Sequence, residues 1–145
     1  MTRVLVLNGP NLARLGTREP EVYGSQTFPD LVAAVQGWGA ELGLDVDVRQ
    51  TDDEATMIGW LHEAVDTRSD VVLNPAAFTH YSYGLRDAAA QVTGAQLRLI
   101  EVHITNPYAR EAFRHRSVVG PVATGTIAGF GLTSYHLALQ ALTHP

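Results

Sequence analysis

The sequence predicts an α/β fold in which a five-stranded parallel sheet carries helices on both faces. Two observations lead there. Short apolar runs such as Val4-Leu5-Val6-Leu7 and Val71-Val72-Leu73 alternate with longer segments whose apolar residues recur every three or four positions. Continuous apolar runs of that length belong to strands buried on both faces. The elements also follow the order β-α-β-α-β-α-β-loop-β-α, and parallel strands require such crossover connections.

Taken in order, residues 3–7 form the first strand. Residues 8–24, reading NGPNLARLGTREPEVYG, then make a loop at its carboxyl end, the position where open parallel sheets bind ligands. A loop of about fifteen residues inside a compact domain is usually functional or disordered; here two prolines, two arginines, two asparagines and a tyrosine supply stiffness and chemistry together. From Thr27 the spacing of Leu31, Val35, Trp38 and Leu42 predicts a helix, with Thr27 as its cap, Pro29 in its first turn and Gly43 at its end.

Leu44, Val46 and Val48 alternate as a second strand that runs into the polar loop 50–53. A helix over 54–67 turns Met57, Ile58, Leu61, Ala64 and Val65 inward. Residues 70–74 are a third strand ended by Pro75, and a helix resumes near Ser82, continues to about Val92 and stops at Gly94. Residues 96–104 form the fourth and longest strand. After the loop 105–116, residues 117–119 are read as a short fifth strand, and 125–131 as the opening of a last helix that holds Tyr135, Leu137, Leu139 and Leu142. A flavodoxin-like sheet fits this order. In it Asn8, Asn11, Asn74 and His103 gather on one edge of the sheet, with the first loop.

Composition narrows the function classes. The 145 residues are read as one domain, 1–145, with a 46% hydrophobic fraction typical of globular proteins. Neither a signal-like start nor an apolar run long enough for a membrane span is visible, so a cytoplasmic location is expected. A net charge of -5 opposes nucleic-acid binding. The absence of cysteine removes disulfides and thiolate chemistry. All ten basic residues are arginine, so neither a lysine imine nor a P-loop lysine is available.

Several residues are candidates for chemistry. Tyr23 shares the first loop with Arg14 and Arg18. A tyrosine titrates near 10, so its use as a base at neutral pH requires about 4 kcal/mol of help, and guanidinium groups supply that sign of field. The alternative is a tyrosine packed under the loop with its hydroxyl bonded. Glu101 and His103 are two apart on a strand and so share a face, where the carboxylate orients the imidazole as an acid. His80 opens the loop before the third helix, as a ligand group or as a local cap. Arg110, Arg114 and Arg116 form a basic run, either a solvated cluster or an anion clamp. His80, His103 and His115 match no helix-borne zinc spacing, so no metal is expected.

These residues resemble the type II 3-dehydroquinate dehydratases of the shikimate and quinate pathways. The likeness rests on LNGPNL at 7–12, LGTREPEVYG at 15–24, NPAAFTH at 74–80, LRDA at 85–88, IEVHITN at 100–106, ARExFRH within 109–115 and IAGFG at 127–131. It implies anti elimination of water from 3-dehydroquinate through an enolate, with no metal or organic cofactor. Tyr23 corresponds to the base and Arg18 to the group that holds it as phenolate. Asn11 corresponds to the residue that stabilises the enolate oxygen with a water, and His103 to the acid. Asn74, His80, Arg114 and the backbone amides of Ile104 and Thr105 correspond to groups that bind the substrate's hydroxyls and carboxylate. Asp87 matches a residue contributed across a subunit contact, in trimers packed into a dodecamer. Two departures stand out. Ala13 replaces a usual asparagine, with loop mobility as the expected consequence. Residues 51–55, Thr-Asp-Asp-Glu-Ala, replace a sequence like SNHEG, with an altered subunit contact expected.

Overall fold

The computed structural model describes residues 1–17 and 19–144, apart from the Tyr23 side chain. Arg18 and the phenol of Tyr23, both named above, therefore lie outside the described residues. Five parallel strands pair among the rest: β1 (Arg3–Asn8), β2 (Asp45–Gln50), β3 (Asp70–Asn74), β4 (Leu99–His103) and β5 (Gly125–Ala128). Their order, β2-β1-β3-β4-β5, is the expected flavodoxin-like one, and it sets the topological switch point between β1 and β3. Asn8 registers with Gln50 on one side and Asn74 on the other, which brings three loops to one level at the carboxyl edge.

Five α-helices accompany the sheet among the described residues: α1 (Pro20–Tyr23), a single turn in the first loop, then α2 (Phe28–Glu41), α3 (Glu54–Asp66), α4 (Tyr83–Gly94) and α5 (Thr133–Leu142). The two-residue period of the strands decides the layers. Val4, Val6, Val72, Ile100 and Val102 point toward Leu31 and Val35 of α2 and Tyr135 and Leu139 of α5. Leu5, Leu7, Val71, Leu73 and Leu99 point the other way, toward Met57 and Leu61 of α3 and Leu85 and Val92 of α4. Each such side chain contributes about 1.5–3 kcal/mol on burial, so neither face is dispensable. No helix among the described residues is long and apolar enough to cross a membrane.

The helix starts follow the sequence closely. Thr27 and Asp30 form a reciprocal capping box at α2. Asp53 accepts from the Ala55 N–H at the start of α3. Ser82 accepts from the Leu85 N–H at the start of α4, and its own hydroxyl donates to Glu54, which ties α4 to α3. Arg49 pairs with Asp47 and Glu63, fastening the edge strand β2 to α3.

Three expectations need correction. The fifth strand is Gly125–Ala128 and not 117–119: Ile100, Val102 and His103 register with Gly125, Ile127 and Ala128. Val118 and Val119 are apolar because they fill the core beside α4 from a turn, a burial that looks like a strand in sequence. The last helix accordingly begins at Thr133, after Gly129 and Gly131 turn the chain through positive φ. The fourth strand spans Leu99–His103 and is shorter than 96–104; Gln96 has a positive φ, and the Arg98 N–H donates to the Asp70 side chain.

Candidate active site

A cleft of about 270 Å³ opens at the carboxyl edge of β1, β3 and β4, bordered by Asn11, Asn74, His80, His103, Arg110 and Arg114, and by Ile104 and Thr105. The gathering of Asn11, Asn74 and His103 expected from the strand ends is present. Asn8 shares that edge, in register with Asn74, but does not border the cleft. It is fully buried beneath the edge, where its side-chain amide donates to the Arg49 carbonyl.

Asn8 belongs to a buried relay. The Asn74 amide donates to the Tyr135 hydroxyl over 2.8 Å, and that hydroxyl donates to Asn8 Oδ1 over 2.7 Å. The Ala76 N–H donates to Asn74 Oδ1. One N–H and one lone pair of the Asn74 amide are thereby occupied, and the other of each remains for a ligand. Burial pushes the Tyr135 hydroxyl far above the ordinary tyrosine range, against a smaller opposing effect of the Asn74 bond. Tyr135 therefore stays a neutral donor to Asn8, buried behind Asn74 and outside the lining of the cleft. Its spacing had marked it only as a core residue.

Leu12 and Leu15 are buried beside α2 and anchor the opening residues of the first loop. Asn11 takes a left-handed conformation with φ 70°, a region that asparagine enters more easily than most residues. Its N–H donates to Asp52 Oδ1 over 2.9 Å, and Gln50 Nε2 donates both to Asp52 and to the Gly9 carbonyl. The acidic 51–55 loop, expected to bear on a subunit contact, thus has work within the chain: Asp52 holds the Asn11 corner and Asp53 caps α3. Gly9 must lack a side chain here, because a Cβ would come within 2.6 Å of the Pro75 carbonyl oxygen across the switch point.

On β4 the two-residue spacing produces the expected pair. His103 Nε2–H donates to Glu101 Oε2 over 2.6 Å. That bond places a ring proton on Nε2 and leaves Nδ1 for a ligand, as acceptor in the neutral ring and as donor in the imidazolium. Glu101 is fully buried. Burial alone would raise its carboxyl, yet hydrogen bonds from His103, Thr79 and Ser117 together outweigh it and hold the group below the usual glutamate range.

The remaining groups are cationic or neutral donors. His80 Nδ1–H donates to the Arg116 carbonyl over 2.7 Å, which leaves its Nε2 as an acceptor, and its ring meets Phe113 edge-on. Arg114 spans the Phe113 ring and is held through Nε by both Glu111 oxygens at 3.3 Å. Its terminal nitrogens are not part of that bond. Arg110 joins Arg114 at the cleft, whereas Arg116 borders an adjoining hollow behind His103. Among the described residues no three His, Asp or Glu side chains are grouped to hold a metal ion.

Asp87 stands apart. It is exposed on α4 and paired with Arg86 at 2.8 Å, outside the cleft of its own chain. Helix capping, the other use open to it, falls to Ser82.

Chemically, the cleft combines a carboxylate-oriented imidazole, amide groups and two guanidiniums, a set suited to binding a small anion beside an acid–base group. The family model described as dehydroquinase class II matches residues 2–143. The 3-dehydroquinate dehydratase of Salinispora arenicola is 60% identical over 140 residues, 97% of this chain and 96% of the relative. That of Mycobacterium tuberculosis is 51% identical over 139 residues, 96% and 92% of the two chains. Among solved structures, the type II dehydroquinase from Propionibacterium acnes superposes with a TM-score of 0.94 at 55% identity, over 99% of this chain and 97% of the other. The one from Butyrivibrio crossotus gives 0.95 at 41%, over 99% and 98%.

Proposed function

The chain belongs to the dehydroquinase class II family, and on that premise we propose that it removes water from 3-dehydroquinate to give 3-dehydroshikimate by anti elimination. The observation that carries the reading is the Glu101–His103 pair at the wall of a cleft shared with Asn11 and Arg114.

In this reading Tyr23, as the phenolate beside Arg18, takes the proton alpha to the ketone. The electron pair moves into an enolate, whose oxygen Asn11 holds through a water. The ketone re-forms as the carbon–oxygen bond at the beta carbon breaks. The departing hydroxyl takes a proton from Nδ1 of the His103 imidazolium and leaves as water. One C–H and one C–O bond break and one C=C bond forms, with no external oxidant or cofactor. Glu101 stabilises the imidazolium and fixes its orientation. Groups in such acid and base roles typically contribute about 10²- to 10⁴-fold each.

Substrate binding falls to Arg114 on the carboxylate, with Asn74, His80 and the Ile104 and Thr105 amides on the remaining oxygens. The free donor and acceptor of Asn74 and the open Nε2 of His80 support those roles. Asp87, exposed and outside its own cleft, acts in this reading on a neighbouring subunit of a dodecamer built as a tetramer of trimers. A cytoplasmic setting and a place in the shikimate or quinate pathway belong to the same proposal. The test is direct. Mixed with 3-dehydroquinate, the protein is expected to generate the ultraviolet absorbance of a conjugated enone, and His103→Ala to slow it steeply. No absorbance change with the wild-type protein would refute the assignment.

A further inference from the structure

The Glu101 carboxylate is held by more than its histidine. Thr79 Oγ1 lies 2.6 Å from Oε2, and Ser117 Oγ lies 2.9 Å from Oε1 and 3.1 Å from Oε2. The two hydroxyls are 2.6 Å apart. Both are fixed in turn, since the Gly120 N–H donates to Ser117 Oγ over 2.8 Å and the Val118 N–H donates to the Thr79 carbonyl over 2.7 Å. Thr79 comes from the segment after β3 and Ser117 from the turn before β5, so three separate parts of the chain converge on one carboxylate.

We propose that Thr79 and Ser117 are positioning residues for His103, acting through Glu101; the proposal rests on the reading of His103 as the acid. A hydroxyl carries one proton, and a carboxylate only accepts. Either both hydroxyl protons go to Glu101, or one passes between the hydroxyls and the other goes to Glu101. In both arrangements the carboxylate accepts at least one hydroxyl proton besides the His103 bond. A neutral carboxyl would lose acceptor capacity toward these groups and would need one of the two hydroxyl oxygens to accept its own proton. The hydroxyls thus favour the ionised form of the fully buried Glu101, and they hold Oε2 where His103 Nε2 meets it. Without them a buried carboxylate with a single partner would be free to turn or to take up a proton, and the imidazole would lose the bond that sends Nδ1 toward the cleft. Thr79 and Ser117 line the adjoining hollow with Glu101 and His103 and do not border the substrate cleft, so their contribution belongs in kcat and not in binding.

Thr79→Val removes the hydroxyl at nearly constant shape, Thr79→Ser keeps it, and Ser117→Ala removes the second from a different segment. Loss of a hydrogen bond to a buried charge predicts a fall in kcat of roughly 10- to 100-fold for Thr79→Val and Ser117→Ala, with KM little changed. Thr79→Ser should recover most of the rate. In the ligand-free protein, long-range ¹H–¹⁵N spectra should show the His103 ring in one form protonated at Nε2, and a shifted or mixed form in Thr79→Val. Unmoved ring signals in Thr79→Val, or Thr79→Ser as slow as Thr79→Val, would overturn the positioning role. If instead His103→Ala keeps its kcat, the acid assignment fails, while the ring spectra still decide what the hydroxyls do.

Discussion

The Asn11 N–H donates to Asp52 Oδ1 over 2.9 Å, so the left-handed corner after β1 is supported by the loop after β2. Asn11 borders the cleft and Asp52 does not. Any shift of this corner moves the amide proposed to hold the enolate. Asp52→Ala is therefore expected to lower kcat about 3- to 10-fold, whereas Asp52→Asn, which retains an acceptor oxygen, should stay close to wild type. Steady-state kinetics on the two variants decide it; an alanine variant as fast as wild type would show that the corner holds itself.

Tyr135→Phe is expected to cost stability. The change leaves a buried Asn8 oxygen and an Asn74 N–H without their partner, at about 1–3 kcal/mol for each group left unsatisfied. Urea unfolding measures the loss, and a variant as stable as wild type would mean that the asparagines re-pair.

Much of this layout was legible from residue spacing, and most of what was missed depends on partners distant in sequence. Asn74-Pro75 after an apolar run marked the end of β3, and the two-residue step from Glu101 to His103 marked their shared face, because both are local patterns. Asp52 was invisible as a support because its partner is 41 residues away. Tyr135 looked like an ordinary core residue because its hydroxyl partners lie 61 and 127 residues away. The error at β5 has a different origin. Gly125-Thr126-Ile127-Ala128 is weakly apolar and partly covered, so it carries little strand signal, while Val118 and Val119 are buried in a turn.

The ionised state of Glu101 predicts a pH dependence of stability. Its carboxyl is held below the ordinary value of 4.5 in the folded chain. A depressed carboxyl contributes stability that is present above the unfolded value and lost as pH falls through the folded one. Wild-type stability should thus decline as pH drops below 4.5, and Glu101→Gln should show a shallower decline over the same window. Chemical unfolding from neutral to acid pH tests this, with equal slopes as the contrary result.

Arg114→Ala should raise KM roughly 10- to 100-fold, the usual effect of removing a charge-assisted partner from a carboxylate. The guanidinium is held at the cleft by Glu111 and the Phe113 ring, contacts made within the 111–114 segment. A fall in thermal stability with KM unchanged would assign Arg114 a structural role.

The central claim, anti elimination of water from 3-dehydroquinate, is tested most directly with substrate deuterated stereospecifically at the carbon alpha to the ketone. Two substrates are compared by mass spectrometry of the product, one labelled anti to the departing hydroxyl and the other syn to it. The account predicts that the anti deuterium is lost and the syn deuterium is retained. Loss of the syn deuterium, or equal loss of both, would contradict it.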